Sequence, residues 1–306
     1  MNRVALKDCH DRIAQFVHNT PILTSSLINE SLECQVFFKC ENFQRAGAYK
    51  IRGATNAILE LNREQQKKGV VTHSSGNFAQ AVSLAAKSLG VPAHIVMPTS
   101  APQVKKDGVI AYGGIIYECE PTVEARQSLA DKIAKETGAA FLHPSNDLNV
   151  IIGQGTAAIE LLEKQPDLNA IFCPVGGGGL IAGSSLSAKY FGKDCRVVGG
   201  EPFEADDAYR SLVSGKIEGN ETVNTIADGL RTTLGDINFP IIKENVSKIV
   251  RVTEQEIVSA MRLVWERMKI IIEPSSAVAF AALIRDTGEN PTDYQNKRIG
   301  IIISRG

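Results

Sequence analysis

Several things are scarce or missing in this chain, and each absence narrows what it can be. No run of about 18 apolar residues occurs, so no transmembrane helix is expected. Arg3, Lys7 and Asp8 interrupt the N-terminus too soon for the apolar core of a signal peptide. Lys and Arg number 33 and Asp and Glu 34, a formal net charge of -1, which gives no electrostatic reason to bind nucleic acid or an anionic membrane. The six cysteines (Cys9, Cys34, Cys40, Cys119, Cys173 and Cys195) form no CxxC pair and none stands at metal-ligand spacing from a histidine. They read as reduced thiols filling small apolar sites in a cytoplasmic protein. No Pro/Gly-rich linker, internal repeat or low-complexity tract divides the chain. What remains is a partner of small-molecule size.

What is present is an alternation of strand and helix patterns. Strands are expected at Val36 to Lys39, Val70 to Thr72, His94 to Met97, Ile115 to Tyr117, Ala139 to Leu142, Ala170 to Pro174, Val197 to Gly199 and Arg298 to Ile303. They are short, apolar and rich in β-branched residues, without strict alternation, which suits strands buried on both faces of a parallel sheet. Between them lie helical patterns. Ala79 to Leu89 carries an apolar stripe that Gly90 stops, and Ala125 to Thr137 is a second case. Thr253-Glu254-Gln255-Glu256 is a capping box opening a long helix towards Lys269. The expectation is an α/β protein with two open, mostly parallel, twisted sheets and a cleft between them. At 306 residues the chain is long for one core, and it divides naturally into a large lobe (1–60 plus 147–306) and a small one (61–146).

Four clusters carry chemistry. Lys50 follows a strand and opens a run of helix formers. An ammonium in the first turn opposes the helix dipole, which favours the neutral amine that a Schiff base requires. Ser74-Ser75-Gly76-Asn77 lies between a strand and a helix, where hydroxyls and backbone N–H groups could hold a carboxylate. Taken alone it is equally an ordinary helix cap. Gly176-Gly177-Gly178-Gly179 also joins a strand to a helix. Four glycines are a poor choice for stability, and they make sense where backbone amides must wrap an anion such as a phosphate. The spacing is not that of an NTPase P-loop. Ser304 ends the last strand, at the edge where parallel sheets meet ligands.

Together these segments resemble the fold-type II pyridoxal-phosphate (PLP) enzymes, in the serine/threonine dehydratase and serine racemase branch. Gly153-Gln154-Gly155-Thr156, Thr225-Ile226-Ala227-Asp228-Gly229, Trp265-Glu266-Arg267-Met268-Lys269 and Glu273-Pro274 add to the likeness, which covers essentially the whole chain. The resemblance implies that Lys50 carries the cofactor as a Schiff base and removes the substrate's α-proton. It implies that Gly176, Gly177, Gly178 and Gly179 bind the phosphate, Asn77 meets the 3′-oxygen, Ser304 meets the pyridine nitrogen and Glu273 lies near the ring. Ser74 would hold the substrate carboxylate and Arg126 would approach the substrate. Ser75, on the opposite face, would be the second proton carrier that distinguishes a racemase from a plain dehydratase.

The same likeness implies a divalent-cation loop, with Glu201, the Ala205 carbonyl and Asp207 as ligands for Mg²⁺, or Ca²⁺ or Mn²⁺. It also implies a homodimer, with ATP as a candidate activator. The substrate would be a small hydroxy amino acid: serine first, L-threonine or L-threo-3-hydroxyaspartate as alternatives. Phe78 stands where the family commonly has histidine, Ser145 where it has asparagine, Tyr49 where it has phenylalanine and Arg305 where it has glycine. A non-catalytic nucleotide-binding α/β protein is the competing reading from another class; it would use the glycine loop and leave Lys50 idle.

Overall fold

The computed structural model describes residues 1–74 and 76–306. Among the described residues ten strands form two sheets. The larger contains β1 (Ile22–Leu23), β2 (Gln35–Cys40), β7 (Ala170–Pro174), β8 (Arg196–Pro202), β9 (Lys248–Val252) and β10 (Arg298–Ile303), in the order β1-β2-β10-β7-β8-β9. Only β1 pairs antiparallel among the described strands. The smaller contains β3 (Val70–His73), β4 (Ala93–Pro98), β5 (Ile115–Cys119) and β6 (Ala140–Phe141), all parallel, in the order β5-β4-β3-β6. The expected α/β class is what the chain adopts.

Burial on both faces, expected of every apolar run, holds for the central strands but not for β5 and β6, edge strands with no fully buried residue. All residues of β4 and β7 are buried, as are five of the six in β10. β1 and β9 were not foreseen. The first spans two half-buried residues, and the second, Lys-Ile-Val-Arg-Val, lies at an edge with three of its five residues half-buried. A strand with one face exposed loses the continuous apolar signature. No helix among the described residues is long and apolar enough to cross a membrane.

Helix Leu148–Lys164 is a spine packed against helices Lys50–Leu59 and Gly179–Phe191 and the larger sheet, and almost its whole length is buried. Its glycines are placed where other helices come closest. A Cβ on Gly153 would lie 2.6 Å from the Cα of Gly53, in helix Lys50–Leu59. A Cβ on Gly155 would lie 2.6 Å from the carbonyl oxygen of Gly183, in helix Gly179–Phe191. The Gly-Gln-Gly-Thr segment therefore sets the spacing of the helix that begins at Lys50 and of the one that begins at the tetraglycine loop.

A buried ionic network lies on the same spine. The Arg52 guanidinium donates to Glu41 Oε2 at 2.7 Å and Oε1 at 2.8 Å, and to Glu160 Oε1 at 2.7 Å and Oε2 at 2.8 Å. Lys39 Nζ donates to Glu160 Oε2 at 2.6 Å and to the Thr20 carbonyl at 2.7 Å. Two cations face two anions, and all four side chains are buried. Burial alone would raise the Glu41 carboxyl, but Arg52, Lys39 and the Thr20 hydroxyl hold it below its ordinary value. Burial pulls Lys39 down from its usual value, against the attraction of Glu160 and Glu41.

Removing one partner from such a network leaves a charge without compensation, at a cost of about 3–5 kcal/mol. Arg52→Met is expected to lower unfolding stability by about that amount in urea titrations. An unchanged midpoint would show that the network contributes little.

Candidate active site

β2, β10 and β7 are neighbours and run parallel, so their C-terminal ends share one edge. That edge is where ligands meet open α/β sheets. The segment after β2 leads to Lys50, β10 leads to Ser304 and β7 leads to the four glycines. Lys50 is the first residue of its helix. The turn before it passes through left-handed backbone at Ala46 (φ 56°) and Gly47 (φ 66°). It is then tied to the chain's last residues. Tyr49 N–H donates to the Ser304 carbonyl at 3.1 Å, Gly306 N–H donates to the Gly47 carbonyl at 3.2 Å, and Ala48 forms a bridge with Arg305. Lys50 Nζ lies 5.1 Å from the centre of the Tyr49 ring.

The tetraglycine loop opens helix Gly179–Phe191, whose N-terminus has no side-chain cap among the described residues. Gly178 has φ +80°, a conformation that glycine adopts without penalty. A Cβ would fall 2.9 Å from Leu230 Cα at Gly176 and 2.4 Å from Ser145 Oγ at Gly177. Space here admits backbone and nothing more. Asn238 Nδ2 donates to the Gly177 carbonyl at 2.8 Å and to that of Ser145 at 3.1 Å, joining two loops. His143 Nδ1 accepts the N–H groups of Ser145 and Asn146. Burial, with His73 and the Lys50 charge, pushes His143 down to about 4, so the ring is neutral near pH 7 and carries its proton on Nε2.

From the smaller sheet, β3 ends at His73 and leads into the serine-rich turn. Ser74 N–H donates to the Val96 carbonyl, and Ser74 Oγ accepts the Gly76 N–H at 3.3 Å. Helix Asn77–Leu89 begins there, again without a side-chain cap among the described residues. Asn77 Oδ1 is buried with no hydrogen-bond partner among the described residues. Ser75 lies outside the described residues. Arg126, on helix Val123–Thr137, is half-buried and close enough to His73 for its charge to help burial lower that ring's pKa.

Lys105 was not singled out by any motif. It reaches from helix Gln103–Ala111 to Asp228, 2.8 Å away, and its Nζ would be 3.6 Å from a Cβ on Gly76. Burial works to raise Asp228, but Lys105 holds its carboxyl below the ordinary value. Asp228 precedes Gly229, whose carbonyl oxygen limits the space at Gly176 to 3.0 Å. Contacts thus run in a circuit from the serine-rich turn, through Lys105 and Asp228, to the glycine loop.

Glu273 stands just before helix Pro274–Glu289, and its carboxylate pairs with Arg305 at 2.9 Å instead of capping the helix. Burial raises the Glu273 carboxyl, against the pull of Arg305. Ser304 is buried, with Oγ 2.9 Å from Ser276 Oγ. Glu201, Ala205 and Asp207 are close to one another at the end of β8, and all three are buried. Each carboxylate oxygen of Glu201 and Asp207 accepts one hydrogen bond, from Ala208 N, Tyr209 N, Asn220 Nδ2 and Leu234 N. Burial and the Asp207 charge push Glu201 well above the carboxylate range, and burial lifts Asp207 to about 6. No group of three or more His, Cys, Asp or Glu side chains converges as a metal cage among the described residues, so this pair would need carbonyl and water ligands.

Lys105, Asp228, Asn238 and Ser276 were missed because each acts through partners far away in sequence, and His143 because its contacts with the Ser145 and Asn146 N–H groups carry no motif. Asp228 alone had a signal, as part of a segment noted for likeness without a role.

The comparisons agree with this geometry. The family model described as "Pyridoxal-phosphate dependent enzyme" matches residues 13–304. A serine racemase of Dictyostelium discoideum is 48% identical, over 98% of this chain and 93% of its own length. A beta-hydroxyaspartate dehydratase of Paracoccus denitrificans is 47% identical, over 97% of this chain and 93% of its own. The structure of maize serine racemase superposes with a TM-score of 0.97 at 44% identity, covering 100% of this chain and 93% of that one. With nearly its full length matched in sequence and in fold, the chain belongs to the pyridoxal-phosphate-dependent enzymes, as a fold-type II member of their racemase and ammonia-lyase group.

Proposed function

We propose that this enzyme acts on serine, interconverting its L and D forms and eliminating water from L-serine to give pyruvate and ammonia. The observation that carries the reading is the common edge of β2, β10 and β7, where a helix-opening lysine, an uncapped glycine loop and a buried serine face one space. The residues there fit pyridoxal phosphate. The helix opened by Gly179 has no side-chain cap among the described residues, which suits its first N–H groups to a phosphate, and the Asn77 amide is buried with an oxygen left without a partner among the described residues. When bound, the cofactor supplies an electron sink that makes an amino acid's α-proton removable.

Lys50 would hold the cofactor through its side-chain amine and would serve as the base on one face of the substrate's α-carbon. Ser74, with backbone N–H groups of the same turn, would receive the substrate carboxylate, and Arg126 would approach the substrate. Ser304 offers the pyridine nitrogen a neutral hydroxyl, and Glu273 lies near the ring. Ser75 is the proton carrier on the opposite face, as the resemblance implies. Loss of the β-hydroxyl as water, followed by hydrolysis of the resulting enamine, gives keto acid and ammonia. The cleft lies between the lobe 61–146 and the lobe made of 1–60 and 147–306.

A second substrate is favoured by Lys105. Its ammonium beside the Ser74–Asn77 turn could meet the β-carboxylate of L-threo-3-hydroxyaspartate, and a dehydratase of β-hydroxyaspartate is among the relatives. L-threonine has no comparable charge to offer it. Glu201, the Ala205 carbonyl and Asp207, with water, form the seat we propose for Mg²⁺, or Ca²⁺ or Mn²⁺, an all-oxygen set suited to hard cations. Asp207 accepts the Leu234 N–H at 3.2 Å, and a Cβ on Gly178 would lie 2.7 Å from Leu234 Cδ2, so the seat and the phosphate loop share a neighbour. A homodimer completes the proposal. The exposed Phe43 and Ile271, on segments joined by the hydrogen bond from Asn42 to the Ile271 carbonyl, offer apolar surface for it.

Incubation with L-serine, L-threonine and L-threo-3-hydroxyaspartate, with keto acid and D-serine measured together, tests the reading. D-serine and pyruvate from L-serine are expected, and no turnover of any of the three would overturn it. Borohydride should abolish a visible absorption band and leave a pyridoxyl group on Lys50, located by mass spectrometry. Lys50→Ala should lose that band and at least about 100-fold in kcat. Ser75→Ala should abolish racemisation and spare much of the dehydration of L-serine, whereas equal loss of both would remove Ser75 from its role. Chelation should lower Tm and loosen cofactor retention together. Restoring Mg²⁺ at ~100 times its Kd should return about 2.7 kcal/mol of stability. Glu201→Gln should show no such response.

A further inference from the structure

Asn220 ties a loop to the acidic pair at the end of β8. It lies in the irregular segment between helix Asp207–Ser214 and the short turn Asp228–Leu230. Its Nδ2 stands 2.6 Å from Asp207 Oδ1, and its Oδ1 stands 2.7 Å from Arg210 Nη2. These two partners settle which way the amide points. A guanidinium can only donate, and an ionised carboxylate can only accept. The Asn220 oxygen therefore faces Arg210 and its N–H faces Asp207; the reverse orientation would set donor against donor and acceptor against acceptor.

Arg210 is itself held in place. Its Nε donates to Asp206 Oδ1 at 2.7 Å, and its Nη2 also reaches the Gly219 carbonyl at 2.9 Å. The other oxygen of Asp206 accepts from Arg251 at 2.9 Å, and the Arg251 guanidinium lies 3.9 Å from the centre of the Tyr209 ring and 4.7 Å from that of Phe203. A chain of contacts thus runs from Arg251 through Asp206, Arg210 and Asn220 and ends on Asp207. Each link joins a group that only donates to one that only accepts, so each fixes the next. The remaining donors to Glu201 and Asp207 are backbone N–H groups, of Ala208, Tyr209 and Leu234. Asn220 is the one side chain among the described residues that donates to either carboxylate.

We propose that Asn220 is a positioning residue for the divalent-cation seat: its N–H occupies one lone pair of Asp207 Oδ1 and holds that carboxylate in the orientation it shares with Glu201 and the Ala205 carbonyl, and Arg210 keeps the amide turned that way. This rests on the reading that Glu201, the Ala205 carbonyl and Asp207 hold a cation. Asn220 is half-buried and borders a surface cavity of about 460 Å³, so trimming its side chain leaves the core intact.

The test titrates Mg²⁺ and Mn²⁺ calorimetrically into chelator-treated, cofactor-loaded enzyme, with the Tm of each cation-free form recorded alongside. Asn220→Ala should bind both cations about 10- to 100-fold more weakly, the usual effect of losing a hydrogen-bond partner behind a metal ligand. Asn220→Gln, which keeps the amide, should recover most of that affinity. A contact that merely held the loop would lower the Tm of the cation-free form and leave Kd unchanged, and that result would overturn the proposal. So would failure of Asn220→Gln to bind more tightly than Asn220→Ala. Glu201→Gln separates the two claims. If it abolishes binding while Asn220→Ala leaves Kd unchanged, only the role of Asn220 falls. If the unaltered enzyme takes up neither cation, the seat falls and the role of Asn220 with it.

Discussion

Arg52 lies two residues beyond Lys50, on the buried side of the same helix, and its guanidinium is shared between Glu41 and Glu160. A planar fork with two carboxylates across it has one geometry that satisfies both, so the helix it belongs to has little freedom to rotate or slide. Glu41 fixes that helix to the end of β2, and Glu160 fixes it to the spine helix Leu148–Lys164. Lys39 on Glu160 joins the strand to the spine directly. The network need not add net stability over an apolar core; what it contributes is a register for the residue at the helix's first position.

The spine carries that register to the phosphate end. Through Gly153 it touches the Lys50 helix, and through Gly155 it touches the helix that begins at the tetraglycine loop. Close approach of backbones at both crossings fixes how far an amine and an anion site can stand from each other, because the nearest neighbours of Gly153 and Gly155 are backbone atoms. A cofactor that must be held at its aldehyde and its phosphate at once requires that kind of fixed span.

The rim of the site is assembled from polar contacts with a different character. Lys105 and Asp228 join a helix of the smaller sheet's unit to the loop beside Gly176. Glu273 and Arg305 join the start of one helix to the end of the last strand. Arg305 replaces a small residue where the resemblance expects glycine, and the structure gives its bulk and charge a partner in Glu273. Phe78, in place of histidine, is buried in the core, so that departure became packing instead of a polar contact.

Residues adjacent in sequence determined much of this protein by themselves. Apolar runs identified the doubly buried strands, the capping box at Thr253 was formed as its spacing implied, and Gly90 stopped its helix in the left-handed conformation. The four glycines and Ser304 lie just after strands and Lys50 opens the helix that follows β2, so their places at the sheet edge could be read from local pattern. β1 and β9 were not legible in this way, since β1 has only two residues and Lys248 and Arg251 interrupt the apolar run of β9. Nor were Lys105 with Asp228, Asn238 with Ser145, or Ser276 with Ser304, whose meaning depends on atoms brought together from 28 to 123 residues apart. Only the tertiary structure decided those pairings, because a side chain's hydrogen-bond partner is set by strand order and helix crossing, and neither is written in the spacing of the residues concerned.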